Sequence, residues 1–472
     1  TGVQTCALPI SCASTPAPPQ QPSPYYPSSR RYRSPLYLRV EEVPGASALL
    51  PRLDRFAAAG RALNAARRID RDRIWRLKLD ALDLLWERFP GDPDFDRYRG
   101  AEGESLHQFA VFCALAEHFR GGWRSWPAPY HNPQGPSVAH FAADRAWRVR
   151  FFEWLQWLLD RQMAAAAKEL ALVQDLPVGI DPDGADAWVW QRFLAPGISI
   201  GAPPDTYSAT GQDWGLPAFI PHRLRAAAYQ PFVETVRASM RHAGGLRIDH
   251  VMGLFRLFWI PRGASPAEGA YVRYPARDLL DILALESHRS GAFVVGEDLG
   301  TVEQGMREEL ASRRILSTRL LWFEDGDPSR YPEQSFASVT THDLPTIAGV
   351  WTGADAGEQR ALGRDPGGGP REMRDRLRRL SGLAGDASTR EVILEAHRLL
   401  ARSPSIAVAA ALDDALGVPE RPNVPSSLAH ERPNWSLALP QCLEEIRSDP
   451  RVREIAGALQ TNDAETTLSN RR

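Results

Sequence analysis

Gly245-Leu246-Arg247-Ile248-Asp249-His250 is a short apolar-flanked run that ends in a carboxylate beside an arginine and a histidine. Two later stretches share its form, Phe293-Val-Val-Gly-Glu-Asp-Leu-Gly300 and Val339-Thr-Thr-His-Asp-Leu-Pro345. Each reads as a buried strand of a parallel sheet, apolar to its C-terminal end, where acids appear just as glycine or proline breaks the pattern. Asp249, Glu297 and Asp343 lie 48 and 46 residues apart, which leaves room for one or two strand-crossover-strand units in each interval. The pattern predicts a barrel with acids around its mouth.

Just upstream, Pro221 to Arg241 has helical spacing, and residues 199–217 show neither helical nor strand period. That glycine- and proline-rich stretch reads as a long irregular loop, a type that tends to be functional in compact domains. Leu176-Pro-Val-Gly-Ile180 reads as a short buried strand, and the acid-dense turn Asp181 to Asp186 after it as a solvated loop with Asx-type hydrogen bonds. Downstream, Ala276 to Ser290, Val302 to Arg314, Arg371 to Leu380 and Ser388 to Ala401 read as helices. Thr318 to Phe323, Phe336 to Thr341 and Ser405 to Leu412 read as strands, and Gly353 to Gly369 as a loop. Six strands, alternating with helices, are therefore expected from Leu176 onward.

The 472 residues are enough for a barrel of roughly 250 residues plus a large insertion. Helical stripes occupy residues 46–170, for example Phe109, Phe112, Leu115 and Phe119, then Phe151, Trp154, Leu155 and Leu158. The expected organisation is a non-native or disordered leader over 1–20, then a loop with a short strand-like run, Ser34 to Leu38, over 21–45. A helical insertion over 46–170, barrel strands three to eight over 171–440, and a C-terminal helix and tail over 441–472 follow. Pro16 to Pro27 is proline-rich and reads as extended; the adjacent Tyr25 and Tyr26 are by default packing residues.

Formal net charge is −2 at pH 7, which gives no electrostatic case for a nucleic acid or anionic membrane partner. Cys6, Cys12, Cys113 and Cys442 show neither metal-ligand spacing nor a disulfide framework, which points to a reducing, cytoplasmic setting. No run of about 18 apolar residues exists, and Thr1 to Ile10 lack the basic start of a secretory signal.

Acids converging at one end of a parallel barrel read as catalytic, because mutually repelling carboxylates in a partly buried mouth cost stability. Glycosidic chemistry asks for such a set: one carboxylate attacks the anomeric carbon while a protonated second one donates to the leaving oxygen and then serves as base. Arg247 alternates with Asp249 across Ile248, so both share a strand face and the cation orients Asp249 as nucleophile. Glu297 suits the acid/base where an ionised neighbour and partial burial raise its pKa. Asp343, with His342 helping, suits hydrogen bonding to sugar hydroxyls that tightens in the transition state.

These motifs resemble the nucleophile, acid/base and stabiliser motifs of the 4-α-glucanotransferases (amylomaltases). So do Gly201-Ala-Pro-Pro-Asp205, Gly211-Gln-Asp-Trp-Gly-Leu-Pro217, Gly269-Ala-Tyr-Val-Arg-Tyr-Pro275, Asn423-Val-Pro425 and the long helical insertion. The resemblance spans roughly residues 23–440, and the helical insertion is similar to that of the bacterial maltodextrin-metabolising branch. It implies an α/β fold, a (β/α)8 TIM barrel lacking its first two strands, with a large helical insertion. It further implies a retaining enzyme that moves a segment of a 1,4-α-D-glucan to the 4-hydroxyl of glucose or another glucan through a glycosyl-aspartate. Asp249, Glu297 and Asp343 are the implied catalytic acids, with Arg247, His250 and His342 in support and Tyr25, Asp205, Trp214 and Asn423 binding substrate. Malto-oligosaccharides and glucose are the implied partners, and no cofactor or metal is implied.

Ser34 stands where the family usually has asparagine, and Ser426-Ser427 where it has Gly-Thr. The strands that usually precede Ser-Pro-Tyr are missing and adapter-like sequence takes their place, so the chain reads as N-terminally truncated. Six strands do not close an eight-stranded barrel, and these residues alone are expected to fold poorly and be inactive while the full-length protein is an enzyme. A non-catalytic fragment or glucan-binding module is the alternative reading. A related α-glucan hydrolase is the other, disfavoured because no run of short strands of the kind that builds a β-sandwich follows Leu412.

Overall fold

Glycine, proline and buried charge set the element boundaries in the computed structural model, which describes residues 12–204, 210–425, 427 and 430–460. Among these, residues 12–63 and 70–297 form one unit and 64–69 and 298–460 a second.

In the first unit, β1 (Cys12–Ala13) pairs antiparallel with β2 (Ser29–Arg33). This corrects the expectation of a leader without structure to residue 20. Ala13 is 1% exposed, its carbonyl accepts from the Ser28 N–H at 2.8 Å, and the Gln20 N–H donates to Asp72 at 2.7 Å. The strand-like run also lies earlier than Ser34–Leu38. Pro35 opens a turn of 3-10 helix, Pro35–Tyr37, capped by Ser34, because its fixed φ suits a first helical position. β2 is hidden in the sequence by its buried arginines: Arg31 pairs with Asp186 at 3.1 Å and Glu234 at 3.0 Å, while Arg30 donates to the Pro177 carbonyl at 3.0 Å and Arg33 to the Ala238 carbonyl at 2.8 Å.

Helices Leu50–Leu63, Arg71–Trp86, Pro93–Phe119, Pro136–Asp144 and Ala146–Glu169 follow. Their apolar stripes meet in one core that includes Leu82, Phe109, Phe112, Leu115, Phe151, Trp154 and Leu155. The helix stripes leave Trp86, Trp126, Trp157 and Trp188 buried in this core.

Three short parallel strands run through the unit: β3 (Val173–Leu176), β6 (Gly245–Ile248) and β9 (Phe293–Gly296), with β6 paired in register to both others. β3 ends at Leu176 and does not begin there, since Pro177 has no N–H to give a ladder. Within the stretch 199–217, residues 199–202 and 212–217 are likewise strand and not irregular loop. β4 (Leu194–Ala202) and β5 (Gln212–Phe219) pair antiparallel, and β7 (Arg256–Pro261) and β8 (Ala270–Arg273) extend the sheet in the order β5-β4-β7-β8. Bulges break the alternation, and Gly201 is required because a Cβ there would lie 1.9 Å from the Gln212 carbonyl oxygen.

The second unit carries β10 (Leu316–Leu320), β11 (Ser335–Ser338) and β12 (Ala407–Ala409), all parallel. Helices Ile347–Thr352, Gly369–Ser381 and Thr389–Ala401 pack Ile347, Val350, Trp351, Leu377, Val392, Ile393 and Leu400 against Leu321 and Trp322. Gly353 to Gly369 is not all loop: Gly353, at φ +78°, ends one helix and begins another, Ala354–Ala361. Two short helices, Leu443–Ser448 and Pro450–Ala458, lie near the C-terminus. Strands β3, β6, β9, β10, β11 and β12 make up a six-stranded parallel sheet, an open half-barrel of the incomplete (β/α)8 type with extensive helical content.

Candidate active site

The registers of β6 and β9 bring the first two predicted acids side by side. Ile248 stands opposite Gly296, and the next residue on each strand is Asp249 and Glu297. The ladder continues through them, with the Glu297 N–H donating to the Ile248 carbonyl at 3.0 Å and the Asp249 N–H to the Leu176 carbonyl at 3.0 Å. Both acids therefore sit at the C-terminal edge of adjacent parallel strands, where the backbone leaves the sheet.

Arg247 lies two residues before Asp249 and is 9% exposed. Its Nη1 donates to both Asp175 oxygens, at 2.6 and 2.7 Å, and its Nη2 to Asp249 Oδ1 at 3.2 Å. Burial opposes the charge of Arg247, but Asp175 foremost, then Tyr25, Asp249 and Glu297, outweigh it and push its pKa up. The Tyr25 hydroxyl donates to Asp175 at 2.6 Å; burial first, then Asp175, raises its pKa and keeps it a phenol.

His250 adopts the left-handed region, φ +47°, unusual for a residue with a side chain. Its N–H points at Glu297 and donates to Oε2 at 2.8 Å. Burial, helped by the Arg256 cation, lowers the His250 pKa to about 4, so the ring is neutral at pH 7. The Trp214 ring stands edge-on to it at 5.3 Å, from strand β5.

In the second unit, His342 and Asp343 follow β11. Asp343 Oδ1 accepts from Asn423 Nδ2 at 2.6 Å, and His342 Nε2 lies 3.5 Å from Asp343 Oδ2. The Asn423 N–H donates to the His342 carbonyl at 3.1 Å, and the Trp435 ring lies 5.0 Å from the His342 ring.

Of the residues singled out in the sequence, Tyr25, Trp214, Arg247, Asp249, His250 and Glu297 thus come together in the first unit. His342, Asp343 and Asn423 come together in the second, and Asp205 lies outside the described residues. Asp175 is the member that sequence reasoning misses. It is 7% exposed and opposite Arg247 in register, and its only signal is an acid two residues before the proline that ends the strand. Among the described residues, no cluster of His, Cys, Asp and Glu is arranged to hold a metal ion, and no helix is long and apolar enough to cross a membrane.

The family profile described as 4-alpha-glucanotransferase matches residues 4–443. A 4-alpha-glucanotransferase of Mycobacterium bovis is 40% identical over 499 residues, covering 96% of this chain and 69% of the relative. One of Haemophilus influenzae is 32% identical, over 93% of this chain and 70% of its own length. Among solved structures, an amylomaltase of Corynebacterium glutamicum superposes with a TM-score of 0.84 at 33% identity, over 96% of this chain and 69% of that one. An amylomaltase of Streptococcus agalactiae, solved in complex with acarbose, shares the fold, with a TM-score of 0.75 at 18% identity over 96% of this chain and 90% of that one.

Proposed function

The chain belongs to the 4-alpha-glucanotransferase family, whose reaction acts on α-1,4-glucans, and from that membership we propose that transfer runs through a covalent glycosyl ester on Asp249. A carboxylate oxygen of Asp249 attacks the anomeric carbon as the bond to the leaving 4-oxygen breaks, and Glu297 gives that oxygen its proton. The 4-hydroxyl of an incoming glucose or malto-oligosaccharide then attacks the same carbon, Glu297 takes its proton, and Asp249 is released. Two inversions leave the α configuration unchanged.

The observation that carries this reading is the in-register placement of Asp249 and Glu297. Neighbouring strands stand about 4.8 Å apart, and retaining enzymes hold their two carboxyl groups about 5 Å apart. Arg247, 3.2 Å from Asp249, supplies the counter-ion for a carboxylate that must attack and not drift. His250 and Trp214 serve as neutral hydrogen-bonding and apolar surfaces for the sugar, with Tyr25 and Asp205 as further substrate contacts. Asp343, His342 and Asn423 bind ring hydroxyls as positive charge develops at the anomeric carbon.

The substrates in this reading are maltodextrins, with glucose as acceptor or product. A cytoplasmic setting fits the described cysteines, Cys12, Cys113 and Cys442, which are all unbridged. Proton NMR of maltotriose turnover by the full-length gene product tests the reading. A ladder of longer α-1,4 oligosaccharides with glucose is expected; β-anomeric products at early times would overturn it.

A further inference from the structure

Three contacts on the short stretch Arg421 to Asn423 close on His342 and Asp343. Asn423 takes one oxygen of the Asp343 carboxylate at 2.6 Å and the His342 carbonyl at 3.1 Å, and Arg421 Nη1 donates to the Asp343 carbonyl at 2.8 Å. The rest of the Arg421 guanidinium is engaged by a second acid. Its Nε and Nη2 donate to Asp355 Oδ1 and Oδ2, at 2.8 Å each.

Arg421 is 8% exposed and Asp355 2%. Taking both charges out of water costs free energy that their attraction barely returns, so an apolar pair would stabilise the fold at least as well. The geometry offers a different reason for the pair. A guanidinium is planar and its N–H groups point in fixed directions. With two of its three nitrogens, Nε and Nη2, locked on Asp355, the plane of the third is fixed, and an N–H of Nη1 meets the backbone oxygen of Asp343. Helix Ala354–Ala361 anchors this brace twice, since Glu358 holds Arg432 Nε at 2.8 Å and Arg432 Nη2 holds the Arg421 carbonyl at 2.5 Å.

We propose that Asp355 and Arg421 are positioning residues for Asp343. The buried pair aims one N–H at the Asp343 carbonyl and fixes the peptide that carries the carboxylate, while Asn423 sets the carboxylate's rotation. The proposal rests on the assignment of Asp343 to the reaction. Misplacement by about 1 Å costs on the order of 100-fold in rate, whereas a lysine at 421 keeps the charge pair with Asp355 and lacks the fixed third donor.

Arg421→Lys, Asp343→Asn and the double variant of the full-length gene product separate the possibilities, with kcat and KM measured on maltotriose. Arg421→Lys is expected to lose about 30- to 100-fold in kcat, with KM within about twofold and a thermal midpoint still above the assay temperature. The double variant is expected to be no slower than Asp343→Asn, because Arg421 acts only through Asp343. A kcat for Arg421→Lys within about threefold of wild type, or losses that multiply in the double variant, would overturn the proposal and leave the Asp343 assignment standing. Asp343→Asn at wild-type rate would remove the assignment itself. If Arg421→Lys does not fold, Asp355→Asn is read against the same two criteria.

Discussion

Glu297 Oε2 accepts the backbone N–H of His250 at 2.8 Å, which fastens one candidate catalytic acid to the residue that directly follows the other. The bond exists because His250 turns into the left-handed region at φ +47°, and that turn aims its N–H across to the end of β9. The Val251 N–H bonds the Glu297 carbonyl at 3.0 Å, so the two strand ends are laced by both backbone and side chain.

His250 separates the backbone's work from the ring's. His250→Gly keeps the amide and suits the left-handed conformation, whereas His250→Ala loses the same ring and retains the steric cost. The glycine variant is expected to be the more stable by about 1 kcal/mol in urea unfolding, with both variants losing transfer activity alike. An alanine variant as stable as the glycine variant would show that the turn carries no strain.

Asp175 is the counter-charge that lets Arg247 stay buried. Asp175→Asn takes away the two closest carboxylate contacts of the guanidinium and leaves its pair with Asp249, at 3.2 Å. Loss of about 3 kcal/mol of stability is expected, because one buried charge loses its main partner, together with a fall in kcat as Arg247 and Asp249 shift. A change below about 1 kcal/mol by urea unfolding, on the scale of an exposed pair, would contradict this account of the network.

Asp414 gives the second unit a pH-dependent stability. It is 0% exposed and accepts the Ile347 N–H at 2.7 Å. Burial pushes its pKa up to about 7, Asp413 adds to the rise, and the Ile347 N–H opposes it. Between an ordinary carboxylate pKa and about 7 the folded protein holds a proton that the unfolded chain has released. The stability contributed by Asp414 is therefore complete in acid and lost as pH climbs to about 7. Asp414→Asn keeps the acceptor for Ile347 without titrating. Its stability relative to wild type is expected to rise with pH between about 5 and 7, by at most about 1.4 kcal/mol per pH unit, and then level off. A difference between the two proteins that is flat across that range would sink the prediction.

Much of the parallel sheet is legible in the sequence because Gly245–Ile248, apolar but for Arg247, and Phe293–Gly296 are short runs that stop at acids, as strands buried on both faces do. β3 is displaced in that reading because its buried Gln174 and Asp175 look like surface residues until Arg247 is placed opposite. The antiparallel sheet is hidden for another reason. Its strands carry bulges, and Gly201 answers to a backbone that passes too close for any side chain, a demand with no local periodicity. Asp249, Glu297 and Asp343 can be read from their strand ends, whereas Asp355 and Arg421 cannot, since a buried pair far apart in sequence leaves no local pattern.

The proposed ester on Asp249 is tested most directly by trapping it. Glu297→Gln removes the proton carrier, and its kcat on maltotriose is expected to fall by about 100- to 10,000-fold. A maltosyl fluoride donor has a leaving group that needs no acid, so the first step proceeds while the second stalls without its base. Mass spectrometry of the digested variant is then expected to show a maltosyl adduct on the peptide that contains Asp249. An adduct on any other residue, or fluoride release with no adduct at all, would contradict the account.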